Sequence, residues 1–292
     1  MRGKPSGLNA ALEEFIYHSD TCSSGGKAIG IVFPTEMNPI YPDLADKLKR
    51  TASSFGLMAF VCNVQESLQR EALCVSALLK ANVSGIIAMP VCDDSHELYA
   101  QTGIPSVLLG CRSHIDMLGY VAMDNYKAGH LAAEQLLLRG HKELAFLMYP
   151  PHSIACSDRL RGFSDAVREY GGAALRVVNL AGIRLEDSYQ AMLQLLHAVN
   201  PSTAIAAADD FIAIGAWQAL REKKLPVGSE YALIGFGNTP FASLPKHGLT
   251  SVGPDAPDWA GIAVPLLLNM QNRQIDELHR ILTPHLISRS TF

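Results

Sequence analysis

The sequence lacks the local signals of disulfide-rich, zinc-binding and membrane proteins. Its six cysteines are widely separated, with no C-x-x-C pair and no Cys/His cluster at the spacing of a zinc site. No apolar run approaches the roughly 18 residues of a membrane helix. The N-terminal stretch has neither the apolar core nor the cleavage site of a secretory signal. We therefore expect free thiols, no bound metal, no membrane segment and a reducing, cytoplasmic location.

Motifs of catalysis and of phosphate binding are also missing. The ten histidines form no H-E-x-x-H pair, and no serine lies in G-x-S-x-G. GGK at 25–27 is followed by Ala28 rather than Ser or Thr, and GFGNTP at 235–240 has Pro240 at the third glycine position of a dinucleotide motif. The sequence therefore predicts a protein that is not an enzyme and that binds no cofactor.

Charge is low and scattered. The 24 Lys and Arg residues and the 28 Asp and Glu residues give a net charge of −4, and the densest basic runs are RGHK at 139–142 and REKK at 221–224. No basic face of the kind that binds nucleic acid is present. A 292-residue chain that is 48% hydrophobic is an ordinary globular protein, with one large domain or two smaller ones.

Short apolar runs alternate with amphipathic stretches along most of the chain. AIGIVF at 28–33 and ELAFLM at 143–148 have the length and branching of buried strands, and helical spacing follows each of them. This strand–helix sequence occurs twice, from Lys27 to about Arg139 and again from His141. Apolar strands that alternate with helices predict an α/β protein with parallel sheets covered on both faces, here two doubly wound lobes.

Polar residues follow two of the predicted strands. Asp124 and Asn125 come after YVAM, and Asp209 and Asp210 come after TAIAAA. Ligands of open parallel sheets bind beyond the carboxyl ends of the strands, so these two loops are where function is expected, and the position of Asp124 by itself indicates a helix N-cap. Adjacent carboxylates could form an acid–base pair, but neighbours on a strand-to-helix turn point in different directions. We assign Asp209 to ligand contact and Asp210 to capping the helix that begins at Phe211.

Six motifs in order make the sequence similar to the ligand-sensing region of LacI-type transcriptional regulators. They are V-x-x-D-N-x-x-x-G-x-x-A-x-x-x-L-x-x-x-G-H at 121–141, R-x-x-G-F at 159–163, P-S-T-A-I-x-A-A-D-D-x-x-A-x-G-A at 201–216, L-P-V-G-S-E-Y-A-L-I-G-F at 225–236, P-x-x-x-L-T-S-V at 245–252 and L-T-P-H-L-I-S-R-S-T at 282–291. That family shares the fold of periplasmic sugar-binding proteins. The resemblance therefore implies two lobes joined by three crossovers.

The resemblance also implies lobe boundaries. The first lobe would comprise residues 27–139 and 252–273, and the second would comprise 141–250 and 277–292. Residues 1–26 would be a leader or linker remnant. Members of the family normally begin with a helix-turn-helix head that binds DNA. No such head is present in this sequence, so we expect DNA contact only through a head missing from this chain.

The resemblance further implies which residues bind the ligand. Arg159 of R-x-x-G-F stands where the family's arginine reaches the ligand. The rigid fork of its guanidinium group can clamp adjacent hydroxyls or a carboxylate. The alternative is a solvated arginine at a helix start. Asp124 and Tyr41 are expected on one side of the ligand, and Arg159 and Asp209 on the other. Tyr41 and Phe211 are candidates for stacking on a sugar or base face.

Two departures from the family pattern bear on the ligand. Asp209 replaces the usual Asn, which would favour a ligand with donors or positive charge, and Gly237 replaces the usual Asp, so that one hydroxyl-binding carboxylate is missing. We expect a sugar, polyol or nucleobase-like effector in the cleft between the lobes of a dimeric, repressor-type regulator. The alternative is a periplasmic solute-binding protein of a sugar transporter, which would need export.

Overall fold

The chain folds into two compact units, Met1–Ala122 with Asp258–Arg280 and Met123–Pro257 with Ile281–Phe292. The computed structural model describes residues 16–17, 27–35, 38–149, 153–198, 201–244, 248–255, 258–274 and 277–292. The predicted leader at 1–26 lies outside the described residues except for 16–17. Each unit consists of two chain segments, so the chain passes between them three times, which confirms the predicted number of crossovers.

A seven-stranded sheet forms the first unit. Its strands are β1 (Ile16–Tyr17), β2 (Ala28–Phe33), β3 (Met58–Asn63), β4 (Ile86–Ala88), β5 (Ser106–Leu109), β6 (Gly119–Met123) and β12 (His279–Leu282). Their order is β1-β3-β2-β4-β5-β6-β12, with β2 to β6 in parallel pairs and β1 antiparallel to β3. Every residue of β2, β4 and β5 is buried because helices cover both faces of the sheet.

Within the described residues, four helices accompany this sheet. They are α1 (Ile40–Ser54), α2 (Leu68–Lys80), α3 (Ser95–Ala100) and α8 (Trp259–Gln271). Helices α1 and α8 pack against each other, and α2 packs against α3. The N-terminus of α2 is set by Ser67, whose hydroxyl accepts the Arg70 amide N–H at 3.4 Å, as expected for an N-cap serine.

A six-stranded sheet forms the second unit. Its strands are β7 (Glu143–Met148), β8 (Ala174–Asn179), β9 (Ala204–Ala207), β10 (Ala232–Phe236), β11 (Thr250–Gly253) and β13 (His285–Ile287). Their order is β13-β11-β10-β9-β7-β8, and only β13 pairs antiparallel, with β11. The helices are α4 (Asn125–Leu138), α5 (Ile154–Tyr170), α6 (Leu185–Leu196) and α7 (Asp210–Glu222). Helices α4 and α5 cover one face of the sheet and α6 and α7 the other, so the predicted α/β fold is confirmed.

Helices α4 and α5 cross at close range because glycines lie at their contact. A Cβ atom on Gly129 would overlap the carbonyl oxygen of Arg159, and one on Gly162 would overlap the carbonyl oxygen of Tyr126. No side chain can occupy either position without moving one helix away from the other. The glycines of two sequence motifs thus bring Arg159 next to the first turn of α4.

The unit boundary differs from the predicted lobe boundary at residue 139. Helix α4 belongs to the second unit, since Ala132 and Leu136 are buried in the core beneath the six-stranded sheet. The segment that returns to the first unit runs from Asp258 to Arg280, not from 252 to 273. The repeated strand–helix pattern placed the crossover after α4, whereas the chain crosses before this helix.

Candidate functional site

Four polar side chains meet at the carboxyl edge of the six-stranded sheet. Tyr149 follows β7 directly, Asp209 lies two residues after β9, Arg159 projects from α5 and Asn125 is the first residue of α4. Hydrogen bonds join Arg159 to Asn125 and Tyr149 to Asp209. We call these four residues the second-unit cluster. They occupy the edge at which open parallel sheets bind ligands.

Arg159 is held in a fixed orientation from two sides. Its Nε donates to Asn125 Oδ1 at 2.8 Å, and its Nη1 donates to the Ala208 carbonyl oxygen at 2.6 Å. The guanidinium carbon lies 5.4 Å from the centroid of the Phe236 ring, within the range of a cation–π contact. A guanidinium has five N–H donors. The two bonds therefore orient the fork while using two of its donors, and the partly buried group can still bind a ligand oxygen.

Asp209 combines a capping role with a place in the cluster. Its Oδ1 accepts the Ile212 amide N–H at 2.8 Å as the N-cap of α7, and its Oδ2 accepts the Tyr149 hydroxyl at 2.9 Å. Burial raises the pKa of Asp209, and the Ile212 amide, the Tyr149 hydroxyl and the charge of Arg159 partly oppose this rise. The carboxylate is thus oriented by fixed donors beside a cation.

The prediction that Asp210 caps α7 is wrong. Asp210 is the first residue of the helix and is completely buried, and its Oδ2 accepts the Thr239 amide N–H at 2.7 Å in the loop after β10. Burial raises the pKa of Asp210 to about 6, while neighbouring Ser251 and Thr239 oppose the rise. No donor within the described residues meets hydrogen-bond geometry at Oδ1. Asp209 takes the cap because its backbone is extended, as an N-cap requires.

Asp124 is the N-cap of α4. Its Oδ1 accepts the Lys127 amide N–H at 3.2 Å, so the capping alternative is confirmed for its carboxylate. Asn125 is the first residue of α4 and is not its cap. It is buried, and its side-chain oxygen accepts from Arg159 instead. Direct contact of Asp124 with a ligand stays a prediction.

The two predicted aromatic contacts belong to different units. Tyr41 is in the first turn of α1 in the first unit, and Phe211 is the second residue of α7 in the second unit. Both are partly buried. Tyr149, which sequence reasoning missed, is the aromatic residue of the second-unit cluster. Its one signal was its position directly after a predicted strand.

The first unit contains a polar cluster of its own. Glu71 on α2 is completely buried and accepts hydrogen bonds from the Ser95 hydroxyl at 2.5 Å and from the Tyr99 hydroxyl at 2.6 Å. The Val91 amide N–H lies 3.4 Å from both carboxylate oxygens. Burial raises the pKa of Glu71, and these three donors oppose the rise. Glu71 therefore anchors the loop that follows β4.

Two kinds of site find no support in the described part of the chain. No three His, Cys, Asp or Glu side chains among the described residues are grouped so that they could hold a metal ion. None of the described helices combines the length and the apolar character that a bilayer-spanning segment needs.

Comparison with known proteins gives a consistent result. The family model described as a periplasmic binding protein-like domain matches residues 133–292. The HTH-type transcriptional regulator RegA of Clostridium saccharobutylicum is 26% identical over 270 residues, which cover 91% of this chain and 81% of RegA. The ribose operon repressor of Halalkalibacterium halodurans is 26% identical over 283 residues, with 97% and 83% covered.

A solved structure has the same fold. The LacI family transcriptional regulator from Enterococcus faecium, determined with bound ribose, matches with a TM-score of 0.78 and 22% identity over 91% of this chain and 98% of that one. The family model covers more than half of the 292 residues. The protein therefore belongs to the periplasmic binding protein-like family, with LacI-type transcriptional regulators as its relatives.

Proposed function

We propose that this protein is the small-molecule sensor of a LacI-type transcriptional regulator and that the second-unit cluster binds a sugar-like effector. The observation that carries the proposal is the pairing of a fixed donor with a fixed acceptor. Arg159 is oriented by Asn125 and the Ala208 carbonyl, and Asp209 by Tyr149 and the helix N-terminus. Sugar hydroxyls both donate and accept hydrogen bonds, so they suit such a pair.

The charge balance of the cluster favours a neutral effector. The sequence alone suggested that Asp209 would favour a ligand with hydrogen-bond donors or with positive charge. In the fold, the Arg159 charge and the Tyr149 hydroxyl partly compensate the Asp209 carboxylate. A neutral polyhydroxyl compound adds hydrogen bonds without leaving a buried charge uncompensated. Tyr41, Asp124 and Phe211 remain candidate contacts in this proposal.

Several wider features belong to the same proposal. We infer a cytoplasmic homodimer that performs no catalysis and that reaches DNA through a helix-turn-helix head outside the present sequence. Support comes from the relatives, which are named as an HTH-type regulator and an operon repressor. The same names make a transporter's solute-binding protein the weaker alternative.

A thermal-shift screen over sugars, polyols and nucleobases tests the binding proposal. A ligand at 100 times its Kd adds roughly 2.7 kcal/mol to the free energy of unfolding, which is an easily measured rise in Tm. Arg159→Ala should abolish that rise. Arg161→Ala is the matched control, because Arg161 is exposed, pairs with Asp158 at 2.9 Å and lies outside the cluster. Absence of any response in the unsubstituted protein, or equal loss in both variants, contradicts the proposal.

A further inference from the structure

The side chain of Asn238 joins two separate chain segments of the second unit. Asn238 is the second residue after β10. Its Nδ2 donates to the carbonyl oxygens of Pro254 at 3.0 Å and of Asp255 at 3.4 Å. Its Oδ1 accepts from Arg289 Nη2 at 2.7 Å, in the C-terminal segment. Pro254 and Asp255 stand just before the chain passes to the first unit at Asp258, and we call these two residues the exit segment.

The backbone of this loop is fixed by close packing against β11. Asn238 has a φ of +49°, in the left-handed region that asparagine and aspartate adopt more readily than most residues. Its N–H donates to Ser251 Oγ at 2.9 Å. A Cβ atom on Gly253, at the end of β11, would lie 2.7 Å from the Asn238 nitrogen, so a glycine is needed for this approach. The loop therefore has a defined position from which the Asn238 side chain reaches the exit segment.

The same loop is hydrogen-bonded to the residue beside Asp209. Asp209 of the second-unit cluster is followed by Asp210, whose Oδ2 accepts the Thr239 amide N–H at 2.7 Å. Thr239 is the next residue after Asn238. A displacement of Asp209 therefore has a short route to the exit segment, made of covalent bonds and of hydrogen bonds at the two ends of the loop. A contiguous set of contacts of this kind can carry coupling between two places in a protein.

We propose that Asn238 is a positioning residue that holds the exit segment, and that effector binding at the second-unit cluster is transmitted to the crossover through Asn238. Its side-chain nitrogen donates to both carbonyl oxygens of the exit segment, while its oxygen accepts a charge-assisted bond from Arg289. A side chain without donors at this position would keep the Arg289 contact and release the exit segment. This inference rests on the proposed function and adds a residue through which the site is coupled to the crossover.

The first test needs no ligand and uses two variants that divide the contacts of Asn238. Asn238→Asp keeps an acceptor for Arg289 but has no donor for the exit segment, and Asn238→Gly permits the same backbone and removes both contacts. The order parameters of the Asp255 backbone N–H and of the Arg289 side-chain Nε–H are measured by 15N relaxation. In Asn238→Asp, the Asp255 value should fall from about 0.85 to below about 0.6, since its peptide unit includes the Pro254 carbonyl, and the Arg289 value should stay the same. In Asn238→Gly both values should fall.

The second test follows Trp259, the first residue of α8, during titration with D-ribose. The sequence contains two tryptophans, so Trp217→Phe leaves Trp259 as the single tryptophan that reports on the chain just beyond the exit segment. In that background, saturation with D-ribose should shift the Trp259 emission, and adding Asn238→Asp should remove most of the shift. Calorimetric titration establishes that the sugar is bound in both proteins. Ser243→Ala is the matched control, since it removes a hydrogen bond of 2.8 Å to the Pro240 carbonyl, further along the same connection, and should leave the shift intact.

The two tests separate the inference from the function on which it rests. An Asp255 order parameter that is the same in Asn238→Asp as in the unsubstituted protein overturns the positioning role whether or not any sugar binds. If D-ribose does not bind to the unsubstituted protein, transmission fails together with the proposed function for this sugar, while the relaxation measurement still decides whether Asn238 holds the exit segment. Bound D-ribose that leaves the Trp259 emission unchanged, or that shifts it equally with and without Asn238→Asp, overturns the transmission alone.

Discussion

Glu71 in the first unit and Asp210 in the second are buried carboxylates that each anchor a loop, but they differ in the number of hydrogen bonds they accept. Each is inaccessible to solvent, and each accepts the backbone N–H of the third residue after a parallel strand, Val91 after β4 and Thr239 after β10. Both therefore fix a loop at the carboxyl edge of a sheet, where such folds bind ligands.

The two carboxylates differ in how well they are hydrogen-bonded. Glu71 has donors at both oxygens, from the Ser95 and Tyr99 hydroxyls as well as the Val91 amide. Asp210 has no donor in hydrogen-bond geometry at Oδ1 within the described residues. A buried acid with a full set of donors stabilises its surroundings, whereas an incompletely bonded one is held at a cost in desolvation. The first loop should therefore depend on its carboxylate far more than the second.

Removing the first-unit carboxylate should give the largest effect. Glu71→Ala leaves the Ser95 and Tyr99 hydroxyls and the Val91 amide without their acceptor, so we expect a loss of roughly 3–5 kcal/mol in the free energy of unfolding. Urea denaturation measures it. Glu97→Ala, at an exposed position on α3, is the control and should stay within about 0.5 kcal/mol. If Glu71→Ala is as stable as Glu97→Ala, the hydrogen bonds of Glu71 do not stabilise the first unit and the proposed difference between Glu71 and Asp210 is wrong.

Asp210→Asn should change the pH dependence of stability. Burial raises the Asp210 pKa from 3.8 to about 6, so between these values the folded state binds a proton that the unfolded state has lost. The contribution of Asp210 to the free energy of unfolding is therefore fully present below its ordinary pKa. As pH rises through about 6, this contribution falls by roughly 3 kcal/mol. The free energies of unfolding of both proteins are measured at pH 4 and at pH 7. Relative to the unsubstituted protein, Asp210→Asn should be more stable at pH 7 than at pH 4. A constant difference between the two proteins contradicts this.

Removing one of the three donors to Glu71 should have the smallest effect. Tyr99→Phe keeps the buried ring and deletes the hydroxyl that donates at 2.6 Å, so we expect a loss of about 1–2 kcal/mol in the free energy of unfolding. Tyr170→Phe, at an exposed position, is the matched control and should change little. If Tyr99→Phe loses as much stability as Glu71→Ala, the stabilisation by Glu71 does not come from three separate hydrogen bonds as described.

Strongly patterned elements were predictable from the sequence, and short or uniformly apolar ones were not. The predicted bounds of AIGIVF and ELAFLM equal those of β2 and β7, because strands buried on both faces are continuous apolar runs. The six-residue helix α3 was missed, since SHELYA is too short to show a helical period. Helix α8 was missed too, because it is apolar on most sides and contains Pro265.

The position of the candidate cluster in the fold was predictable from the sequence, but its internal contacts were not. The predicted strand ends located Asp124 and Asp209 at a carboxyl edge, and the R-x-x-G-F motif singled out Arg159. The structure places Arg159 and Asp209 in one cluster at such an edge. The choice of cap between Asp209 and Asp210 depended on where the backbone leaves the extended conformation, which local propensity does not determine to a single residue. The pairing of Tyr149 with Asp209 joins residues 60 positions apart, and only the sheet order β7-β9 brings them together.

The most direct test of the central claim observes the second-unit cluster while ligand is added. The Asp209 carboxyl carbon and the Arg159 Nε–H signal are followed by NMR during titration with D-ribose and with other polyhydroxyl compounds. Binding at the cluster predicts that both signals move together and saturate at one Kd, with no such change in Arg159→Ala. A compound that binds and stabilises the protein while both signals stay in place would contradict the account.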